Sequence, residues 1–315
     1  MPIGVPASKM NRTNFGKLLY PGLSKIFFNE YANPESEYNQ VFKIQSHNEY
    51  FLRKGRMMGL GPFRQKAESS FIQMDAGKWL SEKEIYFPTY ALGYGVSWEM
   101  IEDDMYGQIE KFSAALGESA QVSKELISWN ILNTADSAAR VGLDGEPLLS
   151  TNHVTGDGVT VMNNVSTEAL SQAALESALT YFEKIVNERS EPTPFRGPKL
   201  LLIPPELKWK AKELLLSEYK PEFAVEPTSQ YKDTRNSINT LADEDIQYKV
   251  IHWLAKPDMW FMVDKNKHDL LGINRRNVSF DQTQDPKSTD SIYYATFRFQ
   301  SDFFDFRGVT GYLGA

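Results

Sequence analysis

Between Arg53 and Lys66 the chain reads RKGRMMGLGPFRQK, with three glycines, one proline, five basic residues and no acid. Glycine and proline at that spacing break any regular element. A stretch this long without structure of its own is uncommon inside a compact domain, where it is functional or disordered. The segments on either side have strand character. Gln40 to Leu52 includes Val41-Phe42-Lys43-Ile44 and Tyr50-Phe51-Leu52, and beyond the loop come Ser70 to Met74 and Lys83 to Phe87. Residues 38–88 therefore read as one long hairpin with a basic tip. A charge run of this kind is either a solvated face or a docking element. Phe42, Ile44, Phe51, Phe63, Phe71 and Ile72 find no cover within a protruding hairpin. Burying a large apolar side chain contributes ~1.5–3 kcal/mol, so such residues call for partners.

The rest of the chain is ordinary globular material. Hydrophobic residues make up 41% and charged residues 24% of 315 positions, which excludes a disordered chain. The length predicts about two domains. No apolar run approaches the ~18–20 residues of a bilayer span, and Met1 to Tyr20 has no apolar centre of the signal-peptide kind. There is no cysteine, so disulfides, thiolate metal sites and cysteine nucleophiles are excluded. The net charge of −7 argues against a protein whose main task is gripping nucleic acid.

Residues 1–37 carry scattered proline and glycine without a sustained helical period, and up to Phe28 their charges are all basic: Lys9, Arg12, Lys17 and Lys25. This reads as an arm, either loosely ordered or lying on an acidic neighbour or polyanion. Met100 to Asn133 holds the strongest helical signal. Ile109, Phe112, Leu116, Ala120, Leu126 and Ile131 fall near one face, and Gly117 inside it predicts a bend or a close packing contact. A second helix starts at Ser171 as N-cap, with Leu175, Ala178, Leu179, Phe182, Ile185 and Val186 as its buried stripe. Lys199 to Ile203 is a buried strand, and Pro204-Pro205 opens a third helix with Leu207, Ala211, Leu214 and Leu215 inward. Strands follow at Tyr248 to Leu254, Met259 to Val263 and Ser291 to Phe306. In the last, Tyr293, Ala295, Phe297 and Phe299 alternate with polar positions and form one buried face.

Catalytic motifs are missing. No phosphate-binding glycine loop or dinucleotide fingerprint is present, and Gly95-Val96-Ser97-Trp98-Glu99 lacks the second glycine of a nucleophile elbow. Asp103-Asp104 has the chemistry for a divalent ion, but its place at a helix start favours a dipole role. His47, His153, His252 and His268 include no pair at metal-ligand spacing. His153, close to Asp157, is the one position where a metal-dependent hydrolase is conceivable, and a hydrogen-bonded structural histidine is the plainer reading. No catalytic residue, metal or cofactor is expected.

The order of segments carries more information than any motif. Phe87-Pro88-Thr89-Tyr90 through Gly93-Tyr94-Gly95-Val96-Ser97 leads to Glu99-Met100-Ile101-Glu102-Asp103-Asp104-Met105-Tyr106-Gly107. Further on come Asp144-Gly145-Glu146-Pro147-Leu148-Leu149-Ser150-Thr151-Asn152-His153, then Leu200-Leu201-Leu202-Ile203-Pro204-Pro205-Glu206-Leu207. Asn236-Ser237-Ile238-Asn239 and Trp260-Phe261 complete the set. Together and in this order they resemble the major capsid proteins of tailed bacteriophages with the Hong Kong 97-type fold, most of all the Mu-like major head subunit group. From Phe87 onward the resemblance rests on motifs, and before it on layout.

The resemblance implies an α+β fold divided into an N-terminal arm (1–37), an extended β-hairpin loop (38–88), a peripheral domain with a long spine helix (89–135), an axial domain (136–285) and C-terminal strands returning to the peripheral domain (286–315). It implies a structural, non-enzymatic subunit of the virion capsid, self-assembled as pentamers and hexamers of an icosahedral shell around double-stranded DNA. The partners are many copies of itself, a portal, separate scaffolding or cement proteins, and packaged DNA held weakly and without sequence preference. No membrane is involved. The candidate inter-subunit residues are Arg53, Lys54, Arg56, Phe63, Arg64 and Lys66. Some capsids of this fold cross-link a loop lysine to a neighbour's asparagine. Lys54 and Lys66 match by position only, and no cross-link is expected. An encapsulin-like compartment shell is the alternative.

Overall fold

The computed structural model describes residues 12–32, 35–103, 106–217, 241, 244–284 and 290–314. Asn236 to Asn239, Lys9 and Asp104 lie outside them. The elements in chain order are α1 (Arg12–Ala32), β1 (Lys43–Ser46), β2 (Phe51–Met58), β3 (Lys78–Tyr86), β4 (Thr89–Val96), α2 (Trp98–Glu102), α3 (Tyr106–Asn133), β5 (His153–Val154), β6 (Val161–Met162), β7 (Val165–Ser166), α4 (Gln172–Glu183), β8 (Lys199–Ile203), α5 (Lys208–Leu216), β9 (Ile246–Val250), β10 (Trp260–Asp264), β11 (Leu270–Gln284), β12 (Ser291–Phe303) and β13 (Val309–Tyr312). This is an α+β arrangement of two main sheets.

The first sheet has the order β1-β11-β12-β4. β12 is antiparallel to both of its neighbours, while β1 runs parallel to β11. The alternation expected in β12 holds: Tyr293, Ala295, Phe297 and Phe299 are all buried. They form the main core with α3 and α1. β11 carries Asn274, Arg275 and Arg276 at a register shift against β12. That polar interruption hides its strand character in the sequence, where it was not expected.

The second sheet has the order β7-β13-β10-β8-β9. Alternation along its central strands divides two cores. Leu201, Ile203, Trp260 and Met262 face α4 and α5, while Leu200, Leu202, Phe261 and Val263 face the main core. A strand buried on both faces must be apolar throughout, which is why Lys199 to Ile203 reads so clearly. Ser171 caps α4 as expected, its hydroxyl accepting from the Ala174 N–H at 3.2 Å. The C-terminal strands divide. β12 joins the first sheet, but β13 lies in the second, between β10 and β7.

The spine helix α3 runs 28 residues, about 42 Å at ~1.5 Å per residue. Its buried stripe differs from the expected one. Phe112 and Leu126 are exposed, while Ser113, Lys124, Glu125 and Ser128 are buried. The helix packs against both α1 and the first sheet, and polar side chains fill the stripe because they find partners there. Glu125 accepts from the Glu37 and Tyr38 N–H groups and from the Trp129 indole, at 2.8, 3.1 and 2.8 Å. Tyr94 and Ser113 share a hydroxyl hydrogen bond.

Residues 1–37 contain a helix that the sequence reading missed. Leu19, Leu23, Phe27 and Tyr31 recur every fourth residue on one face, and Leu23 and Phe27 are fully buried. Pro21 sits inside α1, where a proline costs roughly 3 kcal/mol. Burial of that face against α3 offsets the loss, while Pro21 and Gly22 mask the helical period in the sequence. The close contact expected at Gly117 is present: a Cβ there would lie 2.4 Å from the Phe27 carbonyl oxygen. Val41 and Phe42, read as part of the hairpin, are buried in the main core, with Phe42 edge-on to Trp129 at 5.3 Å.

Two outcomes follow from this packing. Gly117→Ala gains about 1 kcal/mol of helix propensity but forces α1 off α3, and a net loss of about 1–2 kcal/mol is expected by urea unfolding. Lys124 donates to the Tyr31 hydroxyl at 2.9 Å and to Asn274 Oδ1 at 3.2 Å, under the rings of Phe297 and Phe299. Burial pushes its pKa down to about 8. Between pH 8 and about 10.4 the unfolded chain holds a proton that the folded chain sheds, so this site's penalty is full below pH 8 and fades as the pH rises. Wild type should therefore gain stability relative to Lys124→Met across that window in thermal melts. A pH-independent difference would contradict the assignment.

Candidate functional site: the projecting hairpin and its anchor

β2 and β3 form a two-stranded ribbon with no third strand among the described residues. A free two-stranded hairpin is marginal in water, so its root must be held. Lys54 and Lys83 face each other across the ladder, a pairing of like charges that is unfavourable by itself. The body resolves it. Lys83 donates to Asp302 Oδ1 at 2.9 Å and to the Phe303 carbonyl at 2.7 Å. Lys54 reaches Asp269 at 3.3 Å. Both ammonium groups stand over the ring of Phe304, at 4.6 Å for Lys54 and 5.7 Å for Lys83. Burial pushes the Lys83 pKa down, and Asp302 opposes the shift.

A second clamp comes from the turn after α4. Glu188 takes Arg56 at 2.6 Å on one oxygen and Arg307 at 2.9 Å on the other, and the Gly156 N–H donates to it at 2.8 Å. All three charged side chains are largely buried. Burial opposes charge on Arg307, but Asp305 and Glu188 raise its pKa above the ordinary value. The next residue, Arg189, grips the far end of the ribbon. It pairs with Asp75 at 2.9 Å and donates to the Gly59 carbonyl at 2.6 Å. Asp75 also accepts from the Gly61 N–H at 2.8 Å, the largest cause of its lowered pKa. Within the ribbon, Gly55 leaves room for the Trp79 indole, which a Cβ would meet at 2.1 Å.

Beyond this anchor, residues 59–77 form no strand. Ser70 to Met74, read as part of the second limb, lies outside any strand. Phe63, Phe71 and Met74 are 109%, 97% and 93% exposed. Arg64 donates to Gln73 Oε1 at 3.1 Å and ties the two sides of the tip.

The basic run is thus two groups. Arg53, Lys54 and Arg56 lie on β2 and pair within their own chain, with Glu84, Asp269 and Glu188. Phe63, Arg64 and Lys66 lie on the exposed tip. Asp302, Glu188 and Arg189 could not be assigned to the anchor from local pattern, because they stand more than 100 residues from the strands they hold.

His153 is fully buried and both ring nitrogens are engaged, Nδ1 with Asp144 at 2.5 Å and Nε2 with Asn164 Oδ1 at 3.1 Å. Its ring stacks on Phe306 at 3.5 Å. Asp157 is turned to Thr155 and the Val159 N–H instead. The His153–Asp157 pair that a hydrolase would need does not form. Asp103 is the C-cap of the short helix α2 rather than a helix-start acid. Among the described residues no group of three or more potential metal ligands comes together, and no helix is long and apolar enough to cross a membrane.

Comparison with known structures places this architecture. The chain is similar to the virus-like particle from Pyrococcus furiosus, at 12% identity and a TM-score of 0.55, over 93% of this chain and 98% of that one. It is similar to the capsid of the cyanophage P-SCSP1u, at 10% identity and a TM-score of 0.58, over 89% and 88%. It is also similar to the capsid of the native GTA particle, at 9% identity and a TM-score of 0.57, over 90% and 91%. At these identities the likeness establishes the fold, which is of the Hong Kong 97 type. A search of curated protein sequences finds no match. The family model for phage capsid proteins matches residues 81–311; it does not single out the Mu-like subgroup. An α+β body with a spine helix, a tethered ribbon and an uncovered apolar tip fits that result, and the chain belongs to the phage capsid protein family, as a structural major capsid protein of the virion.

Proposed function

We propose that this subunit forms rings of five and of six that close an icosahedral shell around double-stranded DNA. The observation that carries the reading is the exposed apolar tip on a firmly seated stalk. Such a tip is covered only by another molecule, and one surface meeting a different surface on the next copy closes into rings. Phe63, Arg64 and Lys66 are the inter-subunit contacts in this reading, and Arg53, Lys54 and Arg56 set the angle at which the tip is presented. Residues 1–37 act as the arm, residues 89–135 as the peripheral unit and residues 136–285 as the axial unit. β11, within that last range, pairs with β12 along its length, so the two units share a sheet. The role is structural, with no catalytic step. A portal and separate scaffolding or cement proteins complete the assembly. The acidic net charge keeps contact with packaged DNA weak, which suits a container that must release its genome.

A second reading compatible with the same fold is an encapsulin-like shell around protein cargo. Particle contents separate the two: DNA in one case, protein in the other.

Negative-stain microscopy of the purified protein should show closed shells or rings of five and six. Monomers at every concentration would overturn the proposal. The anchor makes a further prediction. Glu188→Gln leaves the largely buried Arg56 without a carboxylate and Arg307 with Asp305 alone, a loss of about 3 kcal/mol. Limited trypsin digestion of unassembled subunits should cut faster between Arg53 and Lys66, with a lower yield of shells. Unchanged cleavage would mean that the clamp does not hold the ribbon.

A further inference from the structure

The hydrogen bonds around the buried His153 fix how many protons it carries. Asn164 is the first constraint. Its Nδ2 donates to the Leu148 and Val309 carbonyls at 2.7 and 3.1 Å, and its Oδ1 accepts from the Ser150 N–H at 3.0 Å. A backbone carbonyl only accepts and a backbone N–H only donates, so this amide stands in one orientation. The atom 3.1 Å from His153 Nε2 is therefore an acceptor, and Nε2 bears a hydrogen. On the other side Nδ1 meets Asp144 Oδ2 at 2.5 Å, while Asp144 Oδ1 accepts from the Glu146 N–H at 3.3 Å. A neutral ring with its hydrogen on Nε2 would turn a bare lone pair toward a carboxylate, in a site where both side chains are almost fully buried. Two buried acceptors facing each other are costly. The pair therefore holds one further proton, and the ring, as the stronger base, carries it.

Charged groups on the surrounding elements are engaged elsewhere. Glu146 accepts from the Ser150 hydroxyl and Asp157 from the Thr155 hydroxyl. Glu188 binds Arg56 and Arg307, and Asp305 pairs with Arg307. Among the described residues Asp144 is the only ionisable group hydrogen-bonded to the ring.

The two segments that this proton joins are those that seat the ribbon. Leu143, next to Asp144, accepts the Ser81 hydroxyl on its carbonyl. Val154, next to His153, accepts from Arg56 on its carbonyl at 2.6 Å. Arg56 and Ser81 are cross-strand partners in the ribbon. One rung of the ladder is thus held at both ends by carbonyls adjacent to the His153–Asp144 pair.

We infer that this pair is a pH-sensitive latch on the hairpin. While protonated it keeps the Leu143 and Val154 carbonyls in place, and its loss of the proton at alkaline pH loosens the hold on Ser81 and Arg56. A histidine in an unfolded chain sheds its second proton above about pH 6.5. Above that range the folded chain binds more protons here than the unfolded one, so the stabilisation falls as the pH rises. The latch belongs to the single subunit and does not rest on the shell reading.

Two measurements on unassembled subunits test it. With ¹⁵N-labelled histidine at about pH 8, above the ordinary histidine range, one of the four histidines should keep both ring nitrogens protonated. A spectrum in which every histidine has one unprotonated nitrogen would overturn the inference. Asp144→Asn offers an amide that donates to Nδ1 and accepts from the Glu146 N–H, so it needs no extra proton, and the doubly protonated signal should vanish. Trypsin cleavage between Arg53 and Lys66, followed in parallel for both proteins, should accelerate at least about threefold more in wild type than in Asp144→Asn from about pH 7.5 to 9.5. An equal change in the two proteins would show that the proton does not govern the ribbon. The wild-type spectrum tests the proton count even where the variant fails to fold.

Discussion

The thirteen residues of β12 hold together everything else in this fold. One end pairs with β4, and its alternate side chains lie under the spine helix and α1. The other end presents Asp302, Phe303 and Phe304 to the two lysines at the root of the hairpin. Beyond it, Asp305 and Arg307 continue to Glu188, and β13 enters the second sheet. A single strand thus connects the core, the stalk and the second sheet, and its near-complete burial makes that connection stiff.

The hairpin is seated by charge together with a small apolar cluster, in which Ile85 and Leu52 of the ribbon meet Leu271, Ile273 and Phe304 of the body. Ion pairs with carboxylates at its root and flank add direction to that seat. At the tip, by contrast, Phe63, Phe71, Ile72 and Met74 are left exposed. The same separation explains why the fourteen residues from Arg53 to Lys66 serve two purposes although they look uniform in sequence.

Much of the fold was legible because it depends on local patterns. The Ser171 cap, the all-apolar β8, the alternation in β12 and the extent of α3 each follow from a period or a cap within a few residues. The errors share one cause. α1 was hidden by Pro21 and Gly22, although Leu19, Leu23, Phe27 and Tyr31 carried its period. β11 was hidden by its run of polar residues at a register shift. Phe112 and Leu126 looked like core positions, but the buried stripe follows Lys124 and Glu125, whose partners come from α1, the segment after it and β11. In each case the deciding energy came from a distant element.

The sequence by itself determined that this chain carries a long, basic, apolar-tipped hairpin ahead of a strut helix, and that no disulfide or thiolate chemistry is available to it. Those are properties of composition and period, which need no partner. Only the tertiary structure decided which cations serve the anchor and which are left at the tip, that His153 is tied to Asp144 and Asn164, and that β4 lies at an open edge. Ion pairs, buried polar groups and sheet order are long-range pairings, and no local preference encodes them.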